Sequence, residues 1–188
     1  MDVTGPTGSA EAEKRAADWF DSAGRKFEWL AERFPATSLG YTDSSLRALL
    51  ADASDAFEFA ERTPDDELPS WYSEHSGIGY ARLSTASLWL VDALALYEGD
   101  VIITRDPLRL QWGVHHTRLN SQEWFVHPAV VGYRWPYCTI EDMALFAVRA
   151  ASSQPEDPQH VVAAINCFVS IGQLRSWPPP SEVGLPNS

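Results

Sequence analysis

Three of the five histidines lie in one short segment, "WGVHHTRLNSQEWFVHP", residues 112–128. Imidazoles that lie close together can bind a metal ion or act as a general base. His115 and His116 are adjacent, so in a β-strand they point to opposite faces and do not readily serve one metal. We therefore expect at most one of them to join His127, and the register of the hairpin decides which one.

The same segment offers the residues of a small-molecule or catalytic site. His115 could act as a base that Glu123 or Asp106 orients. The spacing matches no CxxC or HxxxH metal signature, so we predict no metal ion and no cofactor. The candidate ligand site on this hairpin, residues 108–133, consists of His115, Arg118, Glu123 and His127.

No other segment carries a catalytic signature, and we assign no catalytic residue. A GxSxG nucleophile motif is absent. Cys138 directly precedes a predicted helix, whose N-terminus would lower the pKa of the thiol, so it is the better nucleophile candidate of the two cysteines; we nevertheless expect a buried and inert thiol. Gly77 and Gly79 in "HSGIGYAR" follow no strand and indicate a turn rather than a phosphate-binding loop.

A dense run of acidic residues extends from Asp52 to Glu67, with seven acids and one base, Arg62. It is typical of a solvated helix face, or of a surface that attracts a basic partner, with nearby aromatic side chains as anchors. The candidate partner-binding residues are Asp52, Asp55, Glu58, Phe59, Asp65, Asp66, Glu67, Trp71, Tyr72 and Trp29.

The overall charge narrows the classes of partner. The net charge is −12, and residues 1–100 hold 19 acidic against 8 basic residues. This balance argues against nucleic acid and against an anionic membrane surface, and it favours a basic protein. Two isolated cysteines, no apolar stretch of membrane-spanning length and an acidic N-terminus predict a cytoplasmic protein without a signal peptide. The preference for Arg over Lys suggests a bacterial source.

Hydrophobic periodicity predicts one mainly helical α+β domain of about five helices around a small antiparallel hairpin. We expect residues 1–8 to be disordered, the domain to cover 9–176, and 177–188 to form a Pro-rich tail. The predicted elements are a helix over 9–34, a helix from Thr42 or Asp43 to before Pro64, a central helix from Ser84 or Thr85, strands over 108–114 and 123–133, a helix capped by Thr139 and a helix starting at Asp157–Pro158.

Some features of these elements stay open. The central helix could break at Gly99 or continue to Thr104, or "DVIIT" could form a strand. Trp29 and Phe59 project away from the apolar faces of their predicted helices. They could pack on a second internal surface, anchor a partner, or form subunit contacts in a homo-oligomer.

The stretch "LALYEGDVIITRDPLRLQWGV" with the following "HPAVVGYRWP" resembles a pattern in small uncharacterised bacterial domains. In that pattern a helix carries Tyr-x-Gly-Glu/Asp-Val, and a hairpin with a Trp follows. The matching residues are Tyr97, Gly99, Asp100, Val101 and Trp112, within residues 84–150. The resemblance implies a mixed α+β domain and no particular activity.

These observations together favour an acidic cytoplasmic protein that binds another protein and has no enzymatic activity. Its concrete form is an immunity-type inhibitor of a basic toxin or nuclease. The alternative is a small enzyme or ligand-binding protein with a histidine-containing site on the hairpin.

Overall fold

The computed structural model describes residues 7–63, 65–72, 82–119, 123–152 and 157–175. Within these ranges it does not describe the side chains of residues 7–12, 116–119, 123–127 and 175. The segment predicted as a glycine turn, the predicted C-terminal tail from residue 177 and the first six residues of the predicted disordered N-terminus lie outside the described residues.

The described residues form six helices and one two-stranded antiparallel sheet, which confirms the predicted mainly helical α+β fold. The elements are α1 (Thr7–Asp21), α2 (Ala23–Arg33), α3 (Asp43–Ser54), α4 (Thr85–Ile103), β1 (Gln111–Leu119), β2 (Glu123–Val131), α5 (Thr139–Ala151) and α6 (Pro158–Arg175). None of the helices in this part of the chain combines the length and apolar character needed to cross a bilayer.

Helix α4 lies at the centre of the core, as its sequence predicts. It starts after Ser84, whose hydroxyl accepts a hydrogen bond from the backbone N–H of Ser87, a standard N-cap. Nearly every residue from Leu88 to Ile102 is buried, and α2, α3, α5 and both strands pack around it. Of the three possibilities left open by the sequence, the structure shows the continuous helix: α4 runs through Gly99 to Ile103, with Thr104 as its C-cap, and neither a break at Gly99 nor a strand over "DVIIT" is present.

Two predicted helices differ from the observed ones. The first begins at Thr7, inside the segment predicted as disordered, and is interrupted at Ser22, whose hydroxyl donates to the Trp19 carbonyl at 2.8 Å. Side-chain bonds of this kind compete with the helical backbone ladder. Helix α3 ends at Ser54, well before Pro64, because the chain becomes extended to bury Phe57 and to pair Phe59 with Leu83.

The start of the hairpin is also later than predicted. Backbone N–H groups of Arg109 and Leu110 both bond to the Asp106 carbonyl, so the chain is still turning there. Leu108 is therefore 97% exposed instead of lying on a buried strand face, whereas Leu110 is buried. Sequence alternation indicated the strand correctly from Gln111 onward.

The last two helices follow their predicted positions closely. Helix α6 begins at Pro158, and the carboxylate of Asp157 accepts the N–H of Gln159 at 2.9 Å. In α5, Thr139 is the first helical residue, and Cys138 occupies the cap position without a side-chain bond. Thr139 is instead fully buried, so the prediction that it caps this helix is wrong by one residue.

One aromatic side chain of the hairpin packs directly on the backbone of α4. The ring of Trp112 lies directly over Gly99, where an added Cβ atom would be 2.1 Å from the ring carbons. The indole N–H of Trp112 donates to the carboxylate of Asp100 at 2.7 Å. Gly99, Asp100 and Trp112, which all belong to the Tyr-x-Gly-Glu/Asp-Val and Trp pattern, thus form one contact. Glycine has no side chain at this position, and this leaves room for the indole ring.

We predict that Gly99→Ala destabilises the protein by about 1–3 kcal/mol, because the methyl group forces Trp112 out of its packing position. Chemical denaturation followed by tryptophan fluorescence measures this. Gly24→Ala is the matched control: an added Cβ there meets nothing within 4 Å, so the better helix propensity of Ala stabilises the fold by about 0.5–1 kcal/mol. Equal effects of the two substitutions would contradict the contact.

Candidate functional site

The acidic segment runs from the last turn of α3 into the chain that leads to α4, and it faces solvent. Its exposed carboxylates are those of Asp52, Asp55, Glu58, Glu61, Asp65 and Glu67. Two nearby arginines have their guanidinium groups over aromatic rings: Arg62 lies 4.6 Å from the ring of Tyr72, and Arg82 lies 4.7 Å from the ring of Phe59. Both guanidinium groups keep their positive charge in these contacts; Arg62 is half-buried and Arg82 is exposed. We call these six carboxylates the acidic surface.

The aromatic residues predicted as anchors have mostly structural contacts. Trp71 is 8% exposed and belongs to the hydrophobic core. Phe59 and Tyr72 are half-buried against that core, and the hydroxyl of Tyr72 accepts a hydrogen bond from Arg62. These rings hold the segment in place and leave little area for a partner.

Asp66 also has an internal role. Its carboxylate accepts hydrogen bonds from the backbone and hydroxyl of Thr63, both at 3.0 Å, and from the hydroxyl of Thr85 at 2.9 Å. These bonds, that of the Thr63 backbone above all, lower the pKa of Asp66 below its usual value. Asp66 thereby ties the acidic segment to the first turn of α4.

The hairpin register decides the question of the histidine pair. Residues 115 and 127 are direct partners, and His116 is opposite Val126. Position 123 shares a face with positions 115 and 127 but lies about 13 Å along the strand, and position 118 falls on the other face. The backbone thus brings together His115 and His127 and separates both from Arg118 and Glu123.

A cleft brings together two candidate residues that are far apart in sequence, Trp29 of α2 and Glu67 of the acidic segment. Its volume is about 560 Å³, and its remaining walls come from α1, α4 and the chain around Leu68. Trp89 of α4 faces the same space, and its indole N–H donates to the Glu67 carbonyl at 3.0 Å. A concave site with aromatic walls and a few fixed polar groups is the usual form of a ligand site.

The floor of the cleft is a buried ion pair between α2 and α4. The ammonium of Lys26 lies 3.1 Å from the carboxylate of Asp92, and the two side chains are only 7% and 2% exposed. Lys26 also donates to the Trp19 carbonyl at 3.1 Å and lies 4.0 Å from the centroid of the Trp19 ring. The indole N–H of Trp19 donates to Asp92. Every strong polar group in this cluster therefore has a partner.

Burial and attraction act in opposite directions on this pair. Loss of hydration raises the pKa of Asp92 and lowers the pKa of Lys26, and the mutual attraction of the two charges reduces both shifts. Contact at 3.1 Å with further hydrogen bonds on both partners is the geometry in which a buried ion pair is tolerated. The pair makes the cleft floor polar but nearly neutral in net charge.

A second buried acid lies two turns further along α4. Glu98 is fully buried, and the hydroxyl of Tyr137 donates its proton to Asp142 at 2.6 Å while lying 3.2 Å from one Glu98 oxygen. The other Glu98 oxygen has no hydrogen-bond partner among the described residues. Burial first, and the nearby Asp142 second, raise the pKa of Glu98 well above its usual 4.5.

We predict that Glu98→Gln makes the protein more stable relative to wild type as the pH rises. The raised pKa means that the folded wild type holds a proton that the unfolded chain loses above about pH 4.5, so wild-type stability falls by about 1.4 kcal/mol per pH unit until Glu98 ionises in the fold. Urea unfolding of both proteins between about pH 4.5 and 7 tests this. Parallel stability curves would show that Glu98 is not responsible.

The structure bears on two other chemical possibilities of the sequence. Burial and the nearby Glu141 raise the pKa of Cys138 to about 12, which favours the expected inert thiol over one activated by a helix N-terminus. Within the described residues, no group of three or more His, Cys, Asp or Glu side chains is arranged to hold a metal ion.

Comparisons with protein-family models, with curated proteins and with solved structures found no match to this chain. The resemblance to the Tyr-x-Gly-Glu/Asp-Val pattern therefore stays a prediction.

Sequence reasoning missed the residues at the floor of the cleft. Lys26 follows Trp19 by seven residues and precedes Leu30 by four, so it falls on the apolar face of its helix. Asp92, Glu98 and Asp100 are the acids within the otherwise apolar run from Leu88 to Ile103. The sequence did contain a signal for this site: Lys26 is a charged residue on an apolar helix face, and Asp92 is an opposite charge on a helix predicted to be buried.

Proposed function

We propose that this protein is a cytoplasmic, non-enzymatic binding protein for a basic protein partner, of the kind that inhibits a basic toxin or nuclease by covering its active cleft. The observation that carries the proposal is the acidic surface, whose six carboxylates lie exposed within sixteen residues while Arg62 and Arg82 contact internal aromatic rings.

The negative charge of this surface and its attachment to the fold both favour binding of a basic partner. Exposed charges of one sign attract an oppositely charged partner at long range and accelerate association. The bond from Thr85 to Asp66 and the bond from Arg62 to the Leu83 carbonyl hold the backbone of this segment beside the start of α4. A preformed surface loses less conformational entropy when it binds.

Neutralising part of the acidic surface tests the proposal. We predict that the triple variant D55N/E58Q/E61Q binds the basic partner at least about tenfold more weakly, since each rim charge contributes about 0.5 kcal/mol. The partner is captured on immobilised wild-type protein from a lysate of the source cells at about 0.15 M salt. It is released at about 1 M salt, where exposed charges are screened, and is then identified and purified.

The matched control is D21N/E28Q/E32Q, which removes the same number of exposed charges from α1 and α2. It keeps the affinity of wild type if the location of the charge matters. If both triple variants bind the partner equally weakly, the net charge of the protein determines the affinity and the location of the charges does not. An acidic partner would contradict the proposal. So would a partner that still binds both triple variants and stays bound at high salt.

A second candidate function is a ligand site on the hairpin, which the direct pairing of positions 115 and 127 favours. Two imidazoles on paired positions could share one ligand or metal ion. Metal analysis of the purified chain separates the two functions. The second candidate predicts stoichiometric zinc or iron that is lost in His115→Ala and in His127→Ala and retained in the control His160→Ala. Metal-free protein would argue against it.

A further inference from the structure

We infer that the cleft between α2 and α4 accepts an arginine side chain of the basic partner. This inference rests on the proposed function, and it adds a defined pocket beside the acidic surface. Glu67 connects the two, because it belongs to the acidic surface and lines the cleft.

The walls of the cleft suit a flat cation. The indoles of Trp29 and Trp89 both line it, and Leu68 adds an apolar contact for the aliphatic part of a long side chain. Tryptophan offers the strongest cation–π attraction of the aromatic residues. The guanidinium of Arg33 already lies 5.4 Å from the centroid of the Trp29 ring, so this indole makes such contacts within the chain itself.

The charges around the cleft favour a cation over an anion. The exposed carboxylates of Asp18 and Glu67 line the cleft, and the opposing charge among the exposed lining residues is that of Arg25. Lys26 does not add to it, since its ammonium is paired with Asp92 at 3.1 Å. The exposed lining is therefore negative by one charge, within a chain of net charge −12.

Arginine fits these features better than lysine. Its guanidinium is planar, so it can stack on an indole while its N–H groups donate in a fork to a carboxylate. It is also less strongly hydrated than an ammonium group and enters a half-apolar cleft at a lower desolvation cost. The half-buried Trp29 and Trp89 with the carboxylate of Glu67 provide both contacts.

Titration of the full chain with N-acetyl-arginine amide tests the pocket, with N-acetyl-citrulline amide as the uncharged probe of nearly the same shape. The readout is the indole N–H signals in a two-dimensional ¹H–¹⁵N NMR spectrum. We expect saturable shifts of the Trp29 and Trp89 signals with the arginine probe and at least about fivefold weaker binding of the citrulline probe.

Two variants and one control locate the effect. Glu67→Gln removes the carboxylate but keeps the carbonyl that holds Trp89, and it weakens arginine binding by about three- to tenfold. Trp29→Ala weakens it by a similar factor. The control Trp135→Phe changes an exposed tryptophan outside the cleft and leaves the binding unchanged. Shifts that do not saturate, equal binding of both probes, or insensitivity to Glu67→Gln would overturn the inference.

The outcome is separable from that of the proposed function. If D55N/E58Q/E61Q weakens the captured partner while Trp29→Ala and Glu67→Gln do not, the acidic surface binds the partner and the pocket is not used. If the arginine probe binds in the cleft but no basic partner is captured, the pocket stands and the proposed function fails.

Discussion

The buried ion pair between Lys26 and Asp92 is the interaction on which the rest of the structure depends. It joins the N-terminal helices to the central helix α4 and forms the floor of the cleft. Removing one partner of such a pair leaves a charge without compensation in the core, at a cost of about 3–5 kcal/mol. Trp19 completes the cluster through its indole, its carbonyl and its ring, so one set of contacts serves both the packing and the proposed site.

Helix α4 organises the molecule because polar groups are distributed along its buried length. The carboxylate of Asp92 binds the ammonium of Lys26 and accepts a hydrogen bond from Trp19. Further along the helix, Asp100 accepts a hydrogen bond from the indole of Trp112, and Glu98 contacts the hydroxyl of Tyr137. Each of these bonds ties a different element to the same helix. Buried polar contacts with defined partners orient packed helices in a way that apolar contacts alone do not.

The helices and their order could be predicted from periodicity, but the end of α3 could not. The extended chain after Ser54 is set by the burial of Phe57 and the pairing of Phe59 with Leu83, contacts that no local pattern contains. The candidate sites were harder to predict than the helices, because they are formed by tertiary contacts. Trp29 and Glu67 meet only because the segment at residues 65–70 packs beside α2 and α4. The pairing of His115 with His127 likewise needed the strand register, which the sequence leaves open.

The acidic surface and the cleft share Glu67, and none of the residues that form them belongs to the hairpin. The location of the bound partner therefore decides between the functions. Hydrogen–deuterium exchange on the complex with the captured basic partner measures that location directly. We expect slower exchange in residues 55–63 and 65–70 and at the cleft-facing part of α2, with unchanged exchange in β1 and β2. Slower exchange confined to the hairpin would contradict this expectation.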